Sequence, residues 1–177
     1  MTRKLLHGRV GEHPVASFFV LAFTISWLGF LPSVIGAAEA FGGLNLLVAQ
    51  FGPAIAGVLV LWYTGGSLRE WAGRIVHWRV PLRWWIATLA IPVVIFGVTS
   101  GGFVLLGFQP ELSRLPDPLT TFLPTLIGLS LIAGLGEEPG WRGVALPRLQ
   151  AKYGPLGATI LLGSVWAIWH LPLLAVD

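Results

Sequence analysis

The feature that most constrains this chain is its succession of long apolar runs. They extend from about Val15 to Ala38, Leu44 to Tyr63, Trp84 to Phe108, Leu119 to Leu135 and Leu156 to Val176. Each approaches or exceeds the roughly 20 residues that carry a helix across the hydrocarbon core of a bilayer. An element half-buried in a soluble core would instead scatter its apolar residues at helical or alternating spacing. Composition agrees, since 55% of the residues are hydrophobic and 11% are charged, against about 25% charged residues in an ordinary soluble domain. The expected fold class is all-α: a polytopic transmembrane helical bundle with about five spans, and with the lipid bilayer as its solvent.

Charge then orients the bundle. Of the 11 Lys and Arg residues, Arg3, Lys4 and Arg9 precede the first run, and Arg69, Arg74, Arg79 and Arg83 lie between the second and third. Arg142, Arg148 and Lys152 lie between the fourth and fifth, leaving Arg114 alone on the opposite side. Cytoplasmic loops hold the excess of basic residues, so the expected topology puts the N-terminus and the Glu137-Glu138 segment towards the cytoplasm. Tryptophans interleaved with the arginines from Gly65 to Arg83 suit the membrane interface. The pI near 10.0 accompanies a net charge of only +3, confined to short loops, which argues against a nucleic-acid partner. The absence of cysteine excludes disulfides, thiolate metal ligands and a cysteine nucleophile.

Function is concentrated where charge meets the last two runs. Glu137 and Glu138 stand side by side at the end of the fourth run. Ionisable residues are held at such places when they face a bundle interior or a water-filled cavity. On a helix Arg142 lies one turn beyond Glu138 and pairs with it, while Glu137 is rotated about 100° away and remains free to take a proton from water. Pro139 removes a backbone donor and marks a kink or a helix start. His170 lies within the fifth run, where an imidazole needs a polar partner. His7, His13 and His77 read as solvated or headgroup-facing residues. No H-E-x-x-H zinc motif, P-loop or dinucleotide fingerprint occurs. Two further functions stay open on the residues alone. One is a binding or transport protein using the Glu/His cluster as a relay, and the other is a structural subunit.

The segment Glu137-Glu138-Pro139-Gly140-Trp141-Arg142-Gly143, followed by Leu146-Pro147 and by Trp166-Ala167-Ile168-Trp169-His170-Leu171-Pro172, resembles the CAAX protease and bacteriocin-processing family of intramembrane endopeptidases. The likeness covers Glu137 to Pro172. The family's E-E-x-x-x-R motif maps onto Glu137, Glu138 and Arg142, and its usual F-x-x-x-H maps onto Trp166 and His170 with Trp in the aromatic place.

The resemblance implies a membrane endopeptidase acting on membrane-associated peptides or proteins, with a transport or bacteriocin-immunity protein that uses the same Glu/His cluster without proteolysis as the alternative. Glu137 and His170 would activate water, with Glu138 and Arg142 supporting them. It divides the chain into N-terminal spans, residues 1–118, and a partial protease core, residues 119–177. The family's third motif, H-x-x-x-N or H-x-x-x-D, associated with oxyanion stabilisation or metal binding, does not occur. A fragment of a longer protein is the expectation. The family label metalloendopeptidase raises Zn2+ as a candidate cofactor, but one His and two carboxylates leave a three-ligand zinc site short of a residue. Metal-activated and Glu-activated water both remain open.

Overall fold

The computed structural model describes residues 11–109 and 118–175. Arg3, Lys4, His7, Arg9, Arg114, Val176 and Asp177 lie outside the described residues. Every long element is helical: α1 (Pro14–Val34), α2 (Leu44–Tyr63), the short α3 (Leu68–Ile75), α4 (Leu82–Leu105), α5 (Leu123–Gly140) and α6 (Leu146–Trp169). Among the described residues four helical stretches are long and apolar enough to cross a membrane, and the last, Thr120–Ala175, runs for 56 residues. That is far more than the roughly 20 residues of one crossing. Gly154 interrupts α6 with φ +70°, a left-handed conformation open to glycine, directly before Pro155. The stretch read in sequence as two spans around an interfacial segment is therefore helical nearly throughout and bends at the expected Gly-Pro. The chain is an integral membrane protein.

The described residues form two compact units, one combining the chain up to Ile75 with Thr125 onward, the other Val76–Pro124. In the second unit, α4 starts after Pro81, and Thr88 hydroxyl donates to Trp84 carbonyl at 2.8 Å. It closes through Gly107, whose φ of +90° lets the Phe108 N–H reach Phe103 carbonyl, a helix C-terminus of the left-handed glycine type. The Arg83 guanidinium lies 5.7 Å over the Trp84 ring and Arg79 5.5 Å over Trp78, as expected of cationic and aromatic residues at an interface.

In the first unit, α1 and α2 pack through small residues. A Cβ on Gly29 would come within 2.6 Å of the Ala49 backbone nitrogen, and one on Gly52 would overlap Ser26. Ser26 Oγ donates to Ala49 carbonyl at 2.7 Å, and Asn45 Nδ2 donates to Ser33 Oγ at 2.8 Å. Close backbone approach joined by side-chain hydrogen bonds is how helices associate in lipid, where apolar area supplies little drive. A second face of α2 meets α5 by the same device. Gly136 and Gly140 are one turn apart, and a Cβ on either would run into the carbonyls of Gln50 and Pro53 respectively. The carboxylate segment Gly136-Glu137-Glu138-Pro139-Gly140 is thus also a G-x-x-x-G helix-crossing motif.

Helix α5 continues through Pro139, and a wider π-type turn, Trp141–Ala145, joins it to α6. Proline cannot donate in the helical ladder, and such widened turns accompany breaks in that ladder and occur often at functional sites. The turn drives Trp141 into the core. Its ring meets Phe18 edge-on at 5.2 Å and Trp169 at 6.0 Å, and Phe30 meets Trp169 at 5.8 Å, arrangements favoured by the ring quadrupoles. Trp27 Nε1 donates to Trp169 carbonyl at 3.1 Å, fastening the end of α6 to α1.

Candidate active site

The two adjacent carboxylates have opposite surroundings. Glu137 is buried, 6% exposed, whereas the side chains of Glu138 and Arg142 are 46% and 63% exposed and form an ion pair. That pair is the one expected from helical spacing, and it forms across the junction between α5 and the π-type turn. It lines a cavity of about 450 Å³ together with Trp71 and Arg74. Trp71 Nε1 donates to Pro139 carbonyl at 3.0 Å, so the short interfacial helix α3 is docked against the carboxylate segment.

Glu137 is not left free, as the sequence suggested. Gln50 Nε2 donates to one carboxylate oxygen, and Trp166 Nε1 donates to the other at 2.7 Å. A carboxylate has about four lone-pair positions, so two donors fix its orientation and leave acceptor capacity for a water. Gln50 reaches it because the contact of Gly136 with the Gln50 backbone brings α2 against α5. The signal for Gln50 in the sequence is faint: it is one of two amides within the second apolar run, beside Asn45, with nothing to say which helix each would face.

His170 follows the last residue of α6. Its Nδ1 lies 2.9 Å from Trp166 carbonyl, and since a carbonyl only accepts, Nδ1 is the protonated nitrogen. In the neutral ring that leaves Nε2 as the acceptor. The imidazole sits edge-on between Trp166 and Trp169, at 4.5 and 4.7 Å from their ring centres. Glu137 and His170 thus meet the same residue, one at its indole N–H and the other at its carbonyl. Among the described residues the two do not hydrogen-bond each other directly. Trp166 also walls a cavity of about 200 Å³ with Trp141, Arg142 and Leu162, so open space lies beside the donor to Glu137.

Among the described residues no group of three or more His, Cys, Asp or Glu comes together that could hold a metal. The donor set is one imidazole and a carboxylate whose oxygens both accept protein N–H groups. These residues do not by themselves furnish a zinc site of the usual three protein ligands.

By fold and site this is an integral membrane helical protein that holds a buried, doubly hydrogen-bonded carboxylate inside its helical bundle, connected through Trp166 to an oriented imidazole. The comparisons with known proteins are more particular. Residues 118–176 match the family model described as type II CAAX prenyl endopeptidase Rce1-like. A curated relative from Methanococcus maripaludis, CAAX prenyl protease 2, is 47% identical over 58 residues, which cover 33% of this chain and 21% of the relative. The chain thus matches about a fifth of that relative's length. No solved structure matches the chain. The matched residues contain Glu137, Glu138, Arg142, Trp166 and His170. Gln50 and Trp71 lie outside them.

Proposed function

We propose that this chain carries the water-activating part of an intramembrane endopeptidase of the CAAX-processing kind, acting on membrane-associated peptides or proteins. The observation that carries the reading is the setting of Glu137, a buried carboxylate held by two neutral donors and connected through Trp166 to an imidazole whose Nδ1 is held by the Trp166 carbonyl. Supporting it is the family match over residues 118–176, and residues 119–177 are the protease core of this proposal.

In the proposed reaction Glu137 takes a proton from a water as the water oxygen adds to the scissile carbonyl carbon. The proton then passes to the departing amine nitrogen as the C–N bond breaks. His170 orients the water by accepting one of its O–H groups at Nε2. Glu138, neutralised by Arg142, borders the larger cavity and keeps a second bare carboxylate from competing beside the base. The N-terminus and the Glu137-Glu138 segment face the cytoplasm in this proposal, following the basic loops.

The test uses the full-length gene product reconstituted in bilayers, with cleavage of a pool of membrane peptides as the measurement and a chelator as a further arm. Glu137→Gln and His170→Ala should remain folded and each lose about 10²–10⁴ in rate, the usual contribution of a positioned acid–base group. A folded wild type that cuts nothing, or variants that cut as well as wild type, would assign the cluster to transport or to structure instead.

A further inference from the structure

We infer that Gln50 and Trp166 are positioning residues for Glu137, forming a two-donor clamp that aims the carboxylate. This rests on the reading of Glu137 as the base. A buried carboxylate needs hydrogen-bond donors or a cation. Arg142, the cation nearest in sequence, is taken by Glu138, so the donors to Glu137 are neutral, and each of its two oxygens receives one.

Their placement resists rotation of the carboxylate. Gln50 comes from α2 and Trp166 from α6, so turning the carboxylate about its last bond would break contacts to two different helices. Both donors are themselves held. The Gln50 backbone is pressed against Gly136, and the Trp166 ring is stacked edge-on against His170. Because Trp166 carbonyl also receives His170 Nδ1, one residue sets the direction of the base and the tautomer of the imidazole together. Gln50 lies outside the matched residues 118–176, so the clamp extends the site into the second span.

The experiment compares wild type, Gln50→Met, Trp166→Phe and the double variant in the full-length protein reconstituted in bilayers. Kinetics on a membrane peptide, melting temperature and the infrared band of the Glu137 carboxyl, isolated by difference against Glu137→Gln, are read in parallel. Gln50→Met keeps size and removes the amide, whereas Trp166→Phe keeps an aromatic ring against His170 but is smaller, so melting temperature is read beside the kinetics. Each single variant should lower kcat on the order of tenfold, as loss of a hydrogen bond to a charged group does, with KM unchanged. The double variant should lose less than the product of the singles, because both donors act on one group. The carboxyl band should shift in each single variant.

Cleavage equal to wild type in both single variants, with Glu137→Gln inactive, would overturn the clamp and leave the protease reading standing. A loss of kcat matched by a fall in melting temperature, with the carboxyl band unmoved, would reduce both residues to packing and overturn it equally. If no protein cleaves, the endopeptidase reading fails. The infrared band then decides the clamp on its own, shifted bands supporting the two-donor geometry and unshifted bands refuting it.

Discussion

Helices α2 and α4 are both long and nearly equal in hydropathy, yet 44% of the apolar stretch of α2 is buried, while α4 buries none of its own within its compact unit. Apolarity therefore suits both to the bilayer and decides nothing about packing, since lipid tails solvate apolar side chains as well as a neighbouring helix would. What differs is how closely a neighbouring backbone approaches the small residues. Along α2, Ala49 and Gly52 fit against α1, while Pro53 and Gly57 fit against the end of α5. Helix α4 has glycines too, but a Cβ on Gly97, Gly101 or Gly102 would meet nothing within 4 Å. A glycine in a membrane helix shapes packing only where another backbone comes close enough to need its missing side chain.

The strongest way to break this comparison is Gly140→Leu. Its side chain would have to displace the Pro53 carbonyl, and because the obstacle is backbone, the loss should exceed the usual overpacking range, about 3 kcal/mol or more. Thermal melting in detergent followed by tryptophan fluorescence should show a folded fraction sharply reduced at room temperature. A Gly140→Leu protein that melts like wild type would mean that α2 and α5 do not cross there.

Next in size is Trp141→Ala, which empties a fully buried ring between Phe18 and Trp169. By comparison with large-to-small core substitutions it should lose about 3–5 kcal/mol, read as an earlier chemical or thermal unfolding midpoint. The smallest effect belongs to Gly97→Leu in α4, chemically the same change as Gly140→Leu. It should alter stability by no more than about 1 kcal/mol, with a gain favoured because glycine is a poor helix former. A large loss there would sharpen the comparison differently, since it would show that another helix covers the glycine face of α4 in the membrane.

The candidate site divides along the same line. The Glu138–Arg142 pair was legible in the sequence, because helical spacing alone puts residues four apart on one face, and the structure forms it even though Pro139 and a π-type turn intervene. The surroundings of Glu137 were not legible. One of its donors lies 87 residues away, and no local pattern within α2 says that Gln50, rather than Asn45, faces the carboxylate. Trp166 was visible as the aromatic residue preceding His170 by one turn. Its carbonyl meets His170 by helical spacing alone, but that its indole N–H would serve Glu137 depends on how α5 and α6 are folded back through the turn at Trp141.

Local physics was thus enough for the class. Long apolar runs, basic loops and Gly-Pro breaks set a membrane helical protein with a carboxylate segment at the end of a span, because hydrophobic length and turn chemistry act over a few residues and do not depend on what lies far along the chain. The tertiary structure alone decided that Glu137 is buried and which side chains hold it, and that the Glu138–Arg142 pair borders an open cavity. That choice rests on Gly136 and Gly140 letting α2 approach within backbone contact, and on Gln50 and Trp166 arriving from two distant helices to hold the same group.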